Sequence, residues 1–250
     1  MKILSTLTLL LLSLCLFAQQ VVDKKKKKEE DLPPEASTFQ VQLHQDNGFG
    51  FYTRVKGSVG YDYKKSITFQ ALLFTNPYYG LGTNNPKVGS DLWLETSVGF
   101  STSFFKKTLF VNPSIGVVSG KFLNGKDALV AEGIAPSLFL TYKKNAIDFE
   151  MQGNGFVNLR SFQSGGRGDH IWFQFYPGVK ATKWLTVGAH LEDFSEIHPA
   201  QTNMYRWVGG FLKITIGDKY IMRMSAGRNL NNNNLYSSEF YKFSTVIPFL

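Results

Sequence analysis

The sequence predicts an all-β chain, a single antiparallel transmembrane β-barrel of about 12 strands with short periplasmic turns and longer outer loops. Three observations predict it. Apolar and polar residues alternate with period two from Ser37 to the end, with no helical stripe. The alternating runs are each on the order of ten residues, the length of a tilted membrane-crossing strand. Short connections, each carrying lysine, alternate with longer ones, which is the wiring of an outer-membrane barrel.

Composition narrows the alternatives. Aromatic residues make up 15% of the 250 residues and charged residues only 18%, the reverse of a disordered chain. The single cysteine, Cys15, excludes a disulfide framework. A hydrophobic content of 43% with mean hydropathy −0.12 does not fit a multi-helix membrane protein.

Residues 1–18 read as a signal peptide: Lys2, a leucine-rich apolar run from Ile3 to Phe17, and Ala18 as the cleavage residue. The run is too short for a comfortable span, which needs about 20 apolar residues. Residues 19–37 read as a lysine-rich periplasmic tether. Lys24 to Lys28 are followed by Glu29, Glu30, Asp31, Pro33 and Pro34, a solvated charge block expected to be disordered. The acids beside it and the export signal argue against nucleic acid as a partner.

Residues 38–250 form the expected barrel, with strands at 38–46, 53–63, 66–75, 92–104, 108–118, 130–142, 146–160, 170–180, 184–194, 205–216, 219–228 and 236–247. In the seventh, Ile147, Phe149, Met151, Val157 and Leu159 share one face, and Asp148, Glu150, Gln152, Asn154, Phe156 and Asn158 share the other. In the ninth, Leu185, Val187, Ala189 and Leu191 oppose Thr186, Gly188, His190 and Glu192. Turns fall at Tyr63–Ser66, Phe105–Lys107, Lys143–Asn145, Ala181–Lys183 and Gly217–Lys219. Longer loops include Asp46–Tyr52, Asn76–Asp91 with Tyr78 and Tyr79, and Ser119–Leu129.

A soluble sheet also alternates. Membrane length on nearly every strand, the export signal, and aromatics at strand ends favour a membrane barrel. Tyr52, Tyr61, Tyr63, Phe74, Trp93, Phe104, Tyr142, Trp172, Trp184, Tyr205 and Tyr220 are expected to form interfacial girdles. The aromatic-rich last strand, with Tyr241, Phe243 and Phe249, suits recognition by the barrel-insertion machinery, and outer-membrane lipid is the expected surround.

The segments Gln45–Phe51 (QDNGFGF), Trp93–Thr96 (WLET), Val111–Ser114 (VNPS) and Glu132–Leu138 (EGIAPSL) resemble a family of uncharacterised exported outer-membrane β-barrel proteins of Bacteroidetes-type bacteria. The resemblance covers roughly Thr38 to Leu250. It implies the barrel fold and carries no activity with it.

Other motifs are weak. Gly120–Asp127 nearly matches a phosphate-binding loop, but Asp127 replaces the hydroxyl residue and no helix follows. Arg167-Gly168-Asp169 is a short tripeptide on a predicted outer loop. His44, His170, His190 and His198 form no zinc-binding pair, so no metal and no cofactor is expected. His190 and Glu192 share a face and could act as an acid–base couple, but no serine motif accompanies them. The chain is not expected to be an enzyme.

The inward charges are the candidate site. A basic wall of Arg54, Lys56, Lys213, Arg223 and Lys242 lies on strands 2, 10, 11 and 12, nearly contiguous once strand 12 meets strand 1 in the closed barrel. An acidic wall of Glu95, Asp148, Glu150 and Glu192 lies on strands 4, 7 and 9. Opposed walls set up a field across a wet lumen. Twelve strands enclose more space than the eight that side chains fill, but less than a 16-stranded porin. The expected function is a narrow passive channel for small polar or charged solutes in the bacterial outer membrane. The alternatives are a non-conducting structural or interaction barrel that acts through its outer loops, and a lipid-modifying enzyme based on His190.

Overall fold

The computed structural model describes residues 34–75, 93–120, 123, 129–159, 168–198, 201–217, 219–231 and 237–249. The expected signal peptide, with Cys15, and the Lys24–Lys28 run lie outside them. So do the Asn76–Asp91 loop, Arg167 of the tripeptide and most of the phosphate-loop-like segment.

Twelve strands run in order: β1 (Thr38–Asp46), β2 (Gly50–Asp62), β3 (Lys65–Thr75), β4 (Trp93–Phe104), β5 (Leu109–Gly120), β6 (Leu129–Lys144), β7 (Ile147–Asn158), β8 (Asp169–Lys180), β9 (Leu185–His198), β10 (Asn203–Ile216), β11 (Tyr220–Asn229) and β12 (Glu239–Pro248). Each pairs antiparallel with its sequence neighbour, and β1 pairs with β12 from Gln40↔Pro248 to Asp46↔Lys242, so the barrel is closed. Closure leaves no strand edge without hydrogen bonds, which a membrane interior requires.

The pleat sorts the side chains. Val59, Ile67, Phe69, Val98, Ile115 and Leu212 turn outward and are exposed. A continuous apolar exterior on this scale is not found on a soluble monomer. It is the hydrocarbon-facing band of a transmembrane barrel. The inner face carries the polar and charged residues together with most of the largest rings.

The periplasmic turns are tight for local reasons. Asp62↔Lys65 and Lys144↔Ile147 close two-residue hairpins, and Asn145 takes φ 54° in the second, a conformation asparagine tolerates. Thr182 Oγ1 accepts from the amides of Trp184 and Leu185 at 3.2 and 3.0 Å, shaping the β8–β9 turn. β9 is the strand that departs most from the sequence reading. It continues to His198, four residues beyond the expected end at Phe194, because Glu196 and Ser195 keep pairing with β8.

Candidate functional site: the barrel lumen

Four rungs cross the lumen, each with at least one bond between strands that are not neighbours. At the periplasmic end, Lys213 Nζ on β10 meets Asp148 Oδ2 on β7 at 2.5 Å. Next, the Arg223 guanidinium on β11 grips the Glu150 carboxylate on β7 through two bonds of 3.0 and 2.8 Å, and its face lies 4.1 Å from the Tyr176 ring centroid. Then Arg54 Nη1 on β2 donates to Gln152 Oε1 on β7 at 2.9 Å, and Gln152 in turn donates to Asn154 at 3.1 Å. Because alternate residues of a strand share a face, β7 presents Asp148, Glu150, Gln152 and Asn154 as one inward stripe that receives three opposing strands.

The fourth rung is a hub. Lys242 Nζ on β12 reaches Glu192 Oε2 on β9 at 3.0 Å and Asp46 Oδ2 on β1 at 3.3 Å. Glu192 also accepts from Trp172 Nε1 at 2.9 Å, Tyr205 Oη at 2.7 Å, Gln174 Nε2 at 2.6 Å and His190 Nε2 at 3.0 Å. Its side chain is fully buried. A buried carboxylate is tolerated only when its oxygens are satisfied in this way.

All nine side chains expected in the lumen sit on inward-facing positions. Six of them, on three of the rungs, are brought into direct ion pairs. The expectation of two walls facing each other across open water is corrected: Lys213, Arg223 and Lys242 extend to Asp148, Glu150 and Glu192 and span the gap. Long flexible stems make this possible. Three side chains stay outside the ion pairs. Among the described residues Arg54 has only the neutral Gln152 as its hydrogen-bonded side-chain partner. Lys56 lies 4.0 Å from the Phe139 ring centroid. Glu95 is wholly buried between Leu72 and Val118 in register, and neither of its oxygens has a hydrogen-bond partner among the described residues.

A second correction concerns the aromatics. Tyr61, Trp184 and Tyr220 are about half exposed, as girdle residues would be. Tyr52, Phe74, Trp93, Trp172 and Tyr205 instead turn inward and are buried. They share the pleat face of Arg54, Leu72, Glu95, Gln174 and Lys213, so parity along each strand decides the matter. With Phe156, Phe194, Trp207 and Phe240 they form a layer across the outer end of the lumen. Tyr52, Phe74 and Trp93 stack at 4.8 and 4.5 Å. Tyr205, Trp207 and Phe240 stack at 4.1 and 5.1 Å.

Phe49 completes the layer from above. The loop between β1 and β2 bends inward because Asp46 Oδ1 accepts from the amides of Gly48 and Phe49 at 2.9 and 2.5 Å. Gly48 lies against Trp207, where a Cβ would come within 2.5 Å of the indole. Phe49 then contacts Phe74 of β3 at 5.5 Å and Phe194 of β9 at 5.6 Å. Those strands are diametrically opposed, so the ring occupies the middle of the mouth. A gap of about 20 Å³ remains beneath it beside Arg54, Trp93 and Asn154, room for about one water. The sequence reading missed Phe49 because a loop's course is not encoded by periodicity.

His190 bonds Glu192 and packs against Tyr176 and Phe240 at 4.5 and 4.9 Å. Among the described residues no serine hydroxyl bonds it, and no group of three metal-ligating side chains occurs.

The fold is that of known outer-membrane channels. An outer membrane channel from Pseudomonas putida F1 superposes with TM-score 0.55 at 12% identity, over 90% of this chain and 99% of that one. KdgM porin in complex with disordered oligogalacturonate gives TM-score 0.51 at 10% identity, over 86% and 100%. NanC porin gives 0.50 at 11%, over 85% and 99%. No curated protein matches the chain. One family model, described as a family of unknown function, matches residues 1–249.

Proposed function

We propose, for a chain that belongs to the family of unknown function DUF6733, that it is a narrow passive channel for small polar or charged solutes. The observation that carries this is the interior itself. Arg54, Lys56, Glu95, Asp148, Glu150, Glu192, Lys213, Arg223 and Lys242 line a barrel whose exterior is apolar. Ionisable groups at membrane depth are expensive and mark solute or ion pathways. A barrel needing only rigidity could fill its interior with apolar side chains. The fold shared with porins supports the same reading. In it, Arg54 and Lys56, which stand outside the ion pairs, attract anions, and Glu95 opposes them, while the paired Arg223–Glu150, Lys213–Asp148 and Lys242–Glu192 narrow the path.

The proposal includes residues 1–18 as a cleaved signal peptide, residues 19–37 as a periplasmic tether, insertion by the barrel-insertion machinery, and placement in the outer membrane of a Bacteroidetes-type bacterium. Single-channel recording of the refolded mature chain under a salt gradient tests the function. Steady ion-selective steps support it, and a folded, heat-modifiable barrel without conductance overturns it.

A second reading has its own support. The aromatic layer with Phe49 at its centre leaves little free space at the outer mouth, which suits a non-conducting barrel that acts through its outer loops. The absence of conductance in both the wild type and Phe49→Ala would favour it.

A further inference from the structure

We propose that the lumen holds a binding station for small zwitterions, with the solute's ammonium on Glu95 and its carboxylate on Arg54. This rests on the channel reading and names the solute class it would favour.

The argument starts from the ionic balance. Lys213 is matched by Asp148, Arg223 by Glu150, and Lys242 by Glu192 and Asp46. Of the expected lumen charges, Arg54, Lys56 and Glu95 remain outside the ion pairs; Lys56 rests on the Phe139 ring, which leaves Arg54 and Glu95 as opposite charges without an ion pair between them. Both are buried. Both carboxylate oxygens of Glu95, Nε of Arg54 and Oγ of Ser97 have no hydrogen-bond partner among the described residues. Buried polar groups are nearly always satisfied, and each exception asks for an explanation such as a ligand.

These free groups lie together. Arg54 pairs in register with Leu72, and Leu72 with Glu95. The two charged residues therefore stand on alternate strands, roughly 10 Å apart at the backbone, with a leucine between them. Ser97 follows Glu95 on the same inward face of β4. The gap of about 20 Å³ beneath Phe49 is lined by Arg54 and by Leu72 and Trp93, so it reaches the Arg54 end of the group, while Glu95 and Ser97 lie beyond its lining. It has room for about one water, so a larger solute requires the Phe49 ring to withdraw.

The chemistry selects one class of solute. A carboxylate binds guanidinium with charge-assisted bonds, and an ammonium binds carboxylate in the same way. A zwitterion satisfies both buried groups at once and leaves the lumen's net charge unchanged. An anion answers Arg54 and is repelled by Glu95, and a cation does the reverse. A neutral solute leaves both charges without a counter-charge. Release remains possible because each end of the solute is held by a single side chain.

The test uses the refolded mature chain in liposomes with two solutes of similar size, L-alanine as the zwitterion and lactamide as the neutral analogue. The wild type is expected to admit alanine severalfold faster than lactamide. Glu95→Gln and Arg54→Gln should each bring the two rates together. An alanine rate no higher than that of lactamide, or an unchanged ratio in Glu95→Gln, would overturn the station while leaving the channel intact. If neither solute enters, the channel reading fails, and titration of tryptophan fluorescence decides the station separately. A saturable change with alanine, absent with lactamide and lost in Glu95→Gln, supports it; no saturable change overturns it. Heat-modifiable migration on a gel confirms that each variant is folded.

Discussion

The ring of Phe49, brought in by the first outer loop, meets Phe194 of β9 edge-on at 5.6 Å. On its other side it meets Phe74 of β3 at 5.5 Å. One side chain thus joins opposite walls of the barrel at its mouth. Its position depends on the loop turn that Asp46 holds through the Gly48 and Phe49 amides.

Phe49→Ala should therefore enlarge the free space at the mouth and raise single-channel conductance above that of the wild type. The barrel should stay folded, because closure rests on the β1–β12 ladder rather than on this ring. Equal conductance in the two proteins would show that Phe49 is not part of the constriction.

Lys242→Met should destabilise the barrel. It leaves the Glu192 and Asp46 carboxylates buried without their cation, and breaking a buried pair by removing one partner costs about 3–5 kcal/mol. Denaturant unfolding in vesicles, followed by tryptophan fluorescence, measures the loss. A shift within error of the wild type would mean that the hub is wet enough for water to replace the ammonium.

Glu150→Lys should shift ion selectivity toward anions. The substitution removes one carboxylate and adds a cation next to Arg223 and opposite Lys213. The reversal potential under a salt gradient reports it, and an unchanged value would count against the lining role of β7.

Gly188→Ala and Gly210→Ala should behave differently. A Cβ at Gly188 would lie 2.1 Å from the Pro177 carbonyl oxygen and 2.7 Å from Gly178 Cα, backbone atoms that cannot yield. A Cβ at Gly210 would meet only the Gly188 oxygen, at 3.7 Å. The folded fraction on an unheated gel should fall sharply for the first variant and match the wild type for the second.

The barrel was legible because a strand's period of two is a local property. Asp148, Glu150 and Gln152 alternate with Phe149 and Met151 whatever the rest of the chain does, and that alternation, repeated at membrane length, yields strand number, sidedness and the grouping of strands 10, 11 and 12 near strand 2, with strand 1 between. The same parity places Tyr52 with Arg54 and Trp93 with Glu95. At the strand ends this parity, rather than nearness to an interface, decides that these aromatics turn inward.

How the inward side chains meet was decided only by the tertiary structure. The sequence by itself determined which residues face the lumen: β7 carries acids and amides, and β10 to β12 carry lysine and arginine. It did not determine that Lys213 selects Asp148, that Arg223 selects Glu150, that Glu192 gathers Lys242 with Trp172, Gln174, His190 and Tyr205 around it, or that Glu95 is left over. Those matches depend on barrel radius and strand stagger, which set the distance across the lumen and the height at which each side chain arrives. The turn at Gly48 likewise packs on Trp207 of β10, three strands away around the closed sheet. Periodicity acts along one strand, whereas these contacts join residues three or four strands apart around the barrel.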